Sequence, residues 1–238
     1  MMVSIGTILY TLYTRIALFL LFCVLALPLL ICLLLPQKFL IDNPLFSVIA
    51  RFFYWFCIKG SLLPISYQGI QNIPNQPSII LANHQSSFDI PLVGYALKKR
   101  AHIWTAWAEL AKSPLFRWII PRIAILIDVT SPMRAMRSLI QTSTVIADKP
   151  WDLIIFPEGA RITDEQIHDF FSGFAFIAKK TNRPVVPIKI TGVNKVYPPH
   201  TFWIYYYPIT VHIGNPFFME ADETEQAFTQ RVYQWFIK

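Results

Sequence analysis

At 238 residues, the chain is long enough for one α/β domain of ordinary size with a short appendage, and too short for two full catalytic domains. Its composition, 54% hydrophobic and 15% charged, differs from that of an average soluble domain, in which roughly a quarter of the residues are charged. The net charge of +7 suits nucleic acid or an anionic membrane surface, and the apolar excess favours the membrane. The sequence contains no nucleic-acid-binding motif.

The first predicted element is a membrane segment over residues 16–35, which contain no charged side chain. As a helix this stretch would be roughly 30 Å long and would match the hydrocarbon thickness of a bilayer. A cleaved signal peptide fits less well, because Pro36, Gln37 and Lys38 follow in place of a cleavage site with small residues. Pro28 and Pro36 leave open whether the helix spans the bilayer or bends back as a re-entrant helix.

A second apolar stretch, residues 45–63, carries Arg51 and Lys59 among several aromatic side chains. Such a stretch suits a helix that lies in the membrane interface with its basic groups at the lipid headgroups. The alternative is a core helix of the domain that follows. We therefore predict a membrane-associated segment of two helices over residues 1–63 and an α/β domain over residues 64–238.

Beyond Pro64, short apolar runs alternate with amphipathic segments of helix length, which predicts one α/β domain built on a single mixed sheet. Pro132 fits the first turn of a helix, with Thr130 or Ser131 as its capping residue. The predicted strands cover residues 78–82, 102–106, 123–127, 152–156, 185–190 and 205–213. The predicted helices cover residues 90–99, 114–120, 132–147, 173–181 and 222–236. This pattern does not predict the order of the strands in the sheet.

A histidine and a carboxylate follow the strand at residues 78–82 directly. His84 falls on the strand-end loop, and Asp89 comes about one helical turn later. Asp89 can accept a hydrogen bond from one ring nitrogen of His84, which leaves the other nitrogen to take a proton from an alcohol. This arrangement is half of a charge-assisted triad without a protein nucleophile, and it suits direct attack by a substrate hydroxyl. Alternatively, Asp89 only caps the next helix and His84 is an ordinary loop histidine.

A second polar segment, Phe156 to Arg161, follows the strand at residues 152–156. Arg161 offers a planar fork of donors for a phosphate, Gly159 allows close approach of the backbone, and Glu158 could hold Arg161 in place. Ligands of α/β sheets collect at the carboxyl ends of the strands, so we expect this segment and the His84 loop to meet over one cleft. A Glu–Arg pair on a surface turn is the alternative.

In their order, these segments resemble the glycerolipid acyltransferases related to 1-acylglycerol-3-phosphate acyltransferase, and the resemblance covers roughly residues 68–214. The matching blocks are Asn83 to Asp89 (the family's NHx4D block), Glu109-Leu110 with Pro114 to Phe116 and Ile127-Asp128 (its second block), Phe156 to Arg161 (its FPEGTR block) and Val185 to Ile188 (its block with a proline). The resemblance implies that His84 is the general base and that Asp89 orients it. The substrate-binding candidates are Glu158, Gly159, Arg161, Asn83, Ser86 and Arg122.

The same resemblance implies a membrane enzyme that moves a fatty acyl group from acyl-CoA or acyl-ACP to the free hydroxyl of a lysophospholipid. The default acceptor is 1-acyl-glycerol-3-phosphate, which would give phosphatidic acid. No metal and no cofactor beyond the acyl carrier is implied, and the carrier's phosphates could meet Lys98, Lys99 and Arg100. The lipid bilayer is a further partner, with the catalytic domain on the cytoplasmic face, which in a bacterium is that of the inner membrane.

Four positions depart from the family's usual residues. Ala108 replaces a lysine, Arg117 a glycine, Val129 an arginine and Ala160 the FPEGTR threonine. Two of these changes remove a cation near the expected acceptor site, and Arg122 or Arg117 could replace the lost charge. An acceptor with a phosphodiester headgroup is therefore the alternative to lysophosphatidate.

Other protein classes fit the sequence less well. A serine hydrolase would carry a GxSxG turn around its nucleophile, and the sequence has no such motif. The five histidines lack the spacing of metal ligands, and Cys23, Cys32 and Cys57 all lie in the apolar first quarter of the chain. A non-catalytic membrane lipid-binding protein is the rival from another class, and the two polar strand-end segments count against it.

Overall fold

A seven-stranded sheet of mixed direction forms the centre of the protein in a computed structural model that describes residues 3–114, 116–162, 164 and 166–238. Its strands are β1 (Ile65–Gln68), β2 (Ile79–Ala82), β3 (His102–Trp107), β4 (Ala124–Ile127), β5 (Asp152–Ile155), β6 (Val185–Thr191) and β7 (Ile209–Ile213). They lie in the order β1-β7-β6-β2-β5-β3-β4, with β6 and β7 antiparallel and the other neighbours parallel. The predicted α/β class with a single mixed sheet is confirmed.

Helices cover both faces of this sheet. They are α1 (Ile5–Cys32), α2 (Gln37–Leu40), α3 (Pro44–Gly60), α4 (Asp89–Ala96), α5 (Ile120–Ile123), α6 (Pro132–Ala147), α7 (Gly173–Thr181), α8 (Val193–Val196) and α9 (Glu225–Ile237). On one face, α3 and α4 pack over a core that contains Ile154 and Ile188, and α1 packs against α3. On the other face, α7 and α9 pack over a core that contains Leu153 and Ile103.

The central strand β2 is buried on both faces, as is usual for a parallel strand between two others. Ile79 and Leu81 lie in one core, Ile80 and Ala82 lie in the other, and none of these four side chains is exposed. Burial of each isoleucine or leucine stabilises the fold by roughly 1.5–3 kcal/mol. Because the strand ends at Ala82, the loop that carries His84 starts at the carboxyl edge of the sheet.

The apolar helix α1 extends beyond the predicted residues 16–35 at its amino end, where it is hydrogen-bonded to the α/β domain. Thr11 Oγ1 accepts a hydrogen bond from the Ile204 N–H (3.0 Å), and the Arg15 guanidinium donates to the Phe202 carbonyl (3.0 Å). Among the described helices, α1 is long and apolar enough to cross a membrane, and its most apolar window is only 11% buried. Length and composition therefore agree with the predicted membrane segment.

The predicted helix over residues 114–120 is wrong. Residues 116–119 form turns, and Leu115 lies outside the described residues. The short helix α5 starts only at Ile120 and has Pro121 in its first turn. Proline lacks an N–H and suits the first turn of a helix, so it starts a new helix here and does not continue an earlier one.

The strands at the β1 edge also differ from the prediction. The predicted strand over residues 205–213 is too long, since β7 begins at Ile209 and Pro208 has no N–H to donate to a ladder. β1 has no predicted counterpart, because Ile65 and Tyr67 alternate with polar residues and form no continuous apolar run. The other predicted elements agree with the structure to within one helical turn or one strand residue.

Helix α3 belongs to the domain core on one side and is apolar on the other. Tyr54, Cys57 and Ile58 are buried against the sheet and α4. Gly94 of α4 makes room for the Tyr54 ring, because a Cβ atom at position 94 would lie 2.4 Å from it. The opposite side exposes large apolar side chains, namely Leu45, Val48, Phe52 and Trp55.

We expect a chain that lacks residues 1–63 to be poorly soluble or weakly active. Loss of α3 would uncover the apolar side of α4 and of β3, which α3 contacts. Exposed apolar patches of that kind promote association. Sedimentation of the truncated chain together with a transfer assay would measure both effects. A soluble, monomeric and fully active truncation would show that these residues are only a tether.

Candidate active site

The two polar strand-end segments meet at one edge of the sheet. β2 and β5 are parallel neighbours, with Leu81 opposite Ile155, so the loops that follow them begin side by side. The Ile162 N–H donates to the His84 carbonyl (2.7 Å), which joins the two loops through their backbones. The two segments therefore form one site, as the strand-end argument predicts.

His84 and Asp89 form a hydrogen-bonded pair. His84 Nδ1 lies 2.9 Å from Asp89 Oδ2, and the His84 side chain is 16% exposed while the Asp89 side chain is fully buried. Because the carboxylate accepts, Nδ1 carries the proton and Nε2 is left unprotonated. Nε2 has no hydrogen-bond partner among the described residues, and His84 borders a groove. The imidazole is thus placed as a base towards that groove.

The first turn of α4 holds Asp89 in position. Its Oδ2 accepts the backbone N–H groups of Gln85 and Ser86, both at 2.7 Å, in addition to His84. Its Oδ1 is buried and has no partner among the described residues. Two backbone donors and the amino end of a helix stabilise a negative carboxylate. Asp89 therefore presents a fixed negative charge to the imidazole.

The His84 ring also stacks on Phe156, with ring centroids 3.9 Å apart and planes 13° apart. Phe156 in turn stacks on Trp104 of β3, at 5.7 Å between centroids. The two stacks hold the plane of the His84 ring against the Phe156 face.

Two predicted substrate-binding residues bond to the backbone. Asn83 is 1% exposed, and its side-chain amide exchanges two hydrogen bonds with the Ile190 backbone, at 2.9 and 2.7 Å. Ser86 is buried, and its Oγ accepts the Phe88 N–H (3.2 Å) at the start of α4. Asn83 thus ties the His84 loop to β6, and Ser86 bonds within the turn that starts α4; contact of either side chain with the substrate stays a prediction.

Glu158 does not hold Arg161, contrary to the prediction. Its Oε1 accepts the His84 N–H (2.9 Å) and its Oε2 accepts the His168 N–H (3.2 Å). Burial of the side chain raises the pKa of Glu158, and the two N–H donors oppose that shift. Arg161 is exposed at the groove and donates to Ser87 Oγ (2.9 Å). Glu158 thus contacts the His84 backbone, and Arg161 faces solvent.

Gly159 separates these two residues and has a conformation that favours glycine. Its φ is +71°, and a Cβ atom there would lie 2.6 Å from the Phe171 ring. The chain can therefore pass close beneath Phe171 and border the groove.

Arg122 and Arg100 lie away from His84. Arg122 precedes β4 and donates to the Trp118 carbonyl (2.9 Å), so it sits where the parallel strands begin, whereas His84 sits where they end. Arg100 precedes β3 and pairs with the buried Asp152 (2.7 Å). The structure therefore does not bring Arg122 to the acceptor site, and Arg100 serves the fold.

An open, mainly apolar groove of about 880 Å³ leads away from the His84–Asp89 pair. It reaches from His84 and Arg161 at the carboxyl edge to His102 at the start of β3. α1, α3 and β3 line it with Leu21, Leu25, Phe53 and Trp104. The volume falls in the range of pockets that enclose organic ligands, roughly 300–1,000 Å³, and the lining suits a hydrocarbon chain.

A hydrogen-bonded pair, Tyr54 and His102, lies in the wall of this groove. The Tyr54 hydroxyl is 3.0 Å from His102 Nε2, and His102 Nδ1 is 3.0 Å from the Arg100 carbonyl. Because the carbonyl must accept, Nδ1 donates and Nε2 accepts from Tyr54. Burial lowers the pKa of His102 and raises the pKa of Tyr54 to about 12. The pair is neutral and adds no charge to the wall.

A family model described as Acyltransferase matches residues 64–191, a range that contains both loops of the site. The chain belongs to this acyltransferase family. Its structure resembles the crystal structure of the 1-acyl-sn-glycerophosphate (LPA) acyltransferase PlsC from Thermotoga maritima with a TM-score of 0.76. That match has 24% sequence identity and covers 99% of this chain and 96% of the other, so it shows a shared fold.

Curated relatives named 1-acyl-sn-glycerol-3-phosphate acyltransferase support the family at the level of sequence. The Cocos nucifera protein is 30% identical over 184 residues, which are 75% of this chain and 56% of the relative. The Limnanthes douglasii protein is 30% identical over 192 residues, which are 79% of this chain and 66% of the relative. The Pseudomonas aeruginosa protein is 28% identical over 164 residues, which are 68% of this chain and 62% of the relative. The chain thus spans between about half and two thirds of these relatives.

Some parts of this acyltransferase site have no local sequence signal. The groove is built from α1, α3 and β3, which are far apart in the chain, and the contact of Glu158 with His84 joins residues 74 positions apart. The stacking of Phe156 on His84 could have been inferred from the neighbouring strand ends, once β2 and β5 were known to be adjacent.

Proposed function

We propose that this acyltransferase moves a fatty acyl group from an acyl thioester to the free hydroxyl of a lysophospholipid. The default acceptor is 1-acyl-glycerol-3-phosphate, and the product is then phosphatidic acid. The observation that carries the proposal is His84, which borders an apolar groove, has Nδ1 bonded to Asp89 and leaves Nε2 without a partner among the described residues. The relatives named 1-acyl-sn-glycerol-3-phosphate acyltransferase support the choice of acceptor.

In the proposed reaction, the acceptor hydroxyl attacks the thioester carbonyl directly. The hydroxyl oxygen forms the new ester bond, the carbon–sulfur bond breaks, and the proton passes through His84 Nε2 to the leaving thiolate. Asp89 stabilises the imidazolium in between. Positioning of alcohol and thioester at contact distance supplies much of the acceleration.

The groove is the proposed site of the acyl chain, because its lining is apolar and it starts at His84. Acyl-CoA or acyl-ACP is the co-substrate, and the proposed reaction uses no further cofactor. α1 is the proposed anchor in the bilayer, and the catalytic domain then lies on the cytoplasmic face, at the inner membrane in a bacterium.

A lysophospholipid with a phosphodiester headgroup is the second candidate acceptor. A phosphomonoester carries close to two negative charges near neutral pH, and a site that binds it has to compensate both. Of the cations predicted for the acceptor site, Arg161 borders the groove beside His84, whereas Arg122 lies where the strands begin. Val129, in place of the usual arginine, also borders the groove. One bidentate arginine matches the single charge of a diester.

The test is a purified-protein assay with labelled acyl-CoA and a panel of lysolipids, followed by lipid mass spectrometry. Diacylated product from lysophosphatidate supports the default acceptor. Efficient competition by a diester lysolipid supports a site in which Arg161 alone binds a phosphate with one negative charge. A strict preference for lysophosphatidate contradicts such a site. A chain that acylates none of the lysolipids is not the proposed enzyme.

Arg161→Lys is expected to raise the acceptor's KM about tenfold, which corresponds to about 1.4 kcal/mol, and to change the donor's KM much less. An ammonium group cannot reproduce the two parallel donors of a guanidinium. Arg137→Lys, at an exposed position of α6, is the matched control and should behave like the wild type. An unchanged acceptor KM in Arg161→Lys would transfer the role of phosphate ligand to another cation, with Arg117 as the next candidate.

A further inference from the structure

Glu158 joins the two loops of the site through backbone contacts. Its two carboxylate oxygens accept the N–H groups of His84 (2.9 Å) and His168 (3.2 Å), and the residue is 6% exposed. These N–H groups belong to the loop after β2 and to the loop after β5. A carboxylate is suited to this place because each of its oxygens can accept an N–H, and backbone donors to a charged acceptor form strong hydrogen bonds.

The contact with His84 completes the restraint of that residue. The His84 carbonyl accepts the Ile162 N–H (2.7 Å), Nδ1 bonds to Asp89, and the ring stacks on Phe156. Glu158 holds the remaining backbone group, the N–H. The backbone position of His84 decides where Nε2 lies, and a displacement of about 1 Å at a reacting group can lower a rate about a hundredfold.

A direct role for Glu158 in acceptor binding fits these contacts poorly. A negative side chain repels the phosphate of the acceptor, and a buried carboxylate already engaged by two backbone N–H groups is poorly placed to bind a glycerol hydroxyl. Arg161, two positions beyond Gly159, is an exposed cation at the groove.

We propose that Glu158 is a positioning residue that sets the location of His84 by holding its backbone N–H, and that it is not a ligand of the acceptor. The effect on turnover rests on the proposed function. The two hydrogen bonds are a property of the fold and can be tested separately from activity.

The test is Glu158→Gln, which keeps the size of the side chain but offers one acceptor oxygen for two N–H donors. We expect kcat to fall roughly 10- to 100-fold, from the loss of one hydrogen bond to a charged acceptor, while the acceptor's KM stays within about twofold. Hydrogen exchange should become faster at the amides of His84 and His168. Asp164→Asn is the matched control, because Asp164 bonds to His168 Nε2 (2.7 Å) in the same loop without contacting Glu158. It should leave exchange at His84 and kcat unchanged.

Several outcomes would overturn the assignment. A raised acceptor KM with normal kcat in Glu158→Gln would make Glu158 an acceptor ligand. Unchanged kcat and unchanged exchange would show that the contact with His84 is dispensable. If the glutamine variant does not fold, Glu158→Asp decides, because it keeps the charge but is one methylene too short to reach both N–H groups, and the same kcat and exchange results are expected. If the wild type transfers no acyl group, the proposed function fails, and the exchange experiment still decides whether Glu158 holds the His84 loop.

Discussion

His84→Ala is expected to lower kcat for acyl transfer by about 10²–10⁴-fold, the range that a positioned general base contributes. The substitution removes Nε2, which has no hydrogen-bond partner among the described residues, from a residue that borders the groove. The substitution also removes the Nδ1 bond to Asp89 and the stack on Phe156, so we expect a lower unfolding midpoint. The fold should survive, because Asp89 Oδ2 keeps the N–H groups of Gln85 and Ser86. Steady-state kinetics with labelled acyl-CoA, together with the thermal unfolding midpoint of the same preparation, would measure the effect.

His212→Ala is the matched control for this substitution. His212 lies on the exposed side of β7, where it packs against Trp235, and it has no part in the groove. We expect its kcat to equal that of the wild type. Near-normal turnover in His84→Ala would remove the catalytic assignment and would favour the non-catalytic lipid-binding alternative.

Asp89→Asn is expected to give the second-largest loss of turnover, smaller than that of His84→Ala. An asparagine oxygen can replace Oδ2 and keep the three hydrogen bonds, but it carries no charge to stabilise the imidazolium. Loss of that charge costs about 1.5–3 kcal/mol, which corresponds to roughly 10- to 150-fold in kcat. The new NH₂ group would replace Oδ1, which has no partner among the described residues, and an unpaired buried donor costs about 1–3 kcal/mol of stability.

Two measurements separate these effects. Steady-state kinetics gives the change in kcat, and urea unfolding gives the change in the free energy of unfolding. Asp148→Asn, at the exposed end of α6, is the matched control and should alter neither. A variant at position 89 with normal kcat would favour the alternative that the sequence leaves open, in which Asp89 only caps the helix.

The elements that the sequence predicts best are those with a strong local signal. α6 begins where Ser131 and Pro132 indicate, and Ser131 Oγ accepts the Arg134 N–H as a helix cap. β2 agrees to within one residue, because a central parallel strand is a continuous apolar run. The strand order could not be predicted from the sequence. β7 lies between β1, to which it is parallel, and β6, to which it is antiparallel, and β1 and β6 are more than a hundred residues apart in the chain.

The candidate site was predictable where its contacts are local. The pairing of His84 with Asp89 spans one helical turn, and sequence spacing alone suggests it. Glu158 and Arg161 are also close in sequence, but Glu158 accepts hydrogen bonds from the backbone N–H groups of His84 and His168. Bonds to backbone groups cannot be predicted from a pattern of side chains. The position of Arg122 was also not predictable from the sequence. Its distance from His84 depends on the direction of the strands, which the charge of the residue does not indicate.

The most direct test of direct transfer is one reaction in which purified protein, labelled acyl-CoA and lysophosphatidate are mixed and the label is measured both in lipid and on protein. Ser87, an exposed hydroxyl in the loop that carries His84, accepts a hydrogen bond from Arg161, and the described cysteines lie in α1 and α3. Direct attack by the acceptor hydroxyl therefore predicts label in diacylated phosphatidate and none attached to the protein at any time. Label that accumulates on the protein, or a wild type that forms no diacylated product, would contradict the account.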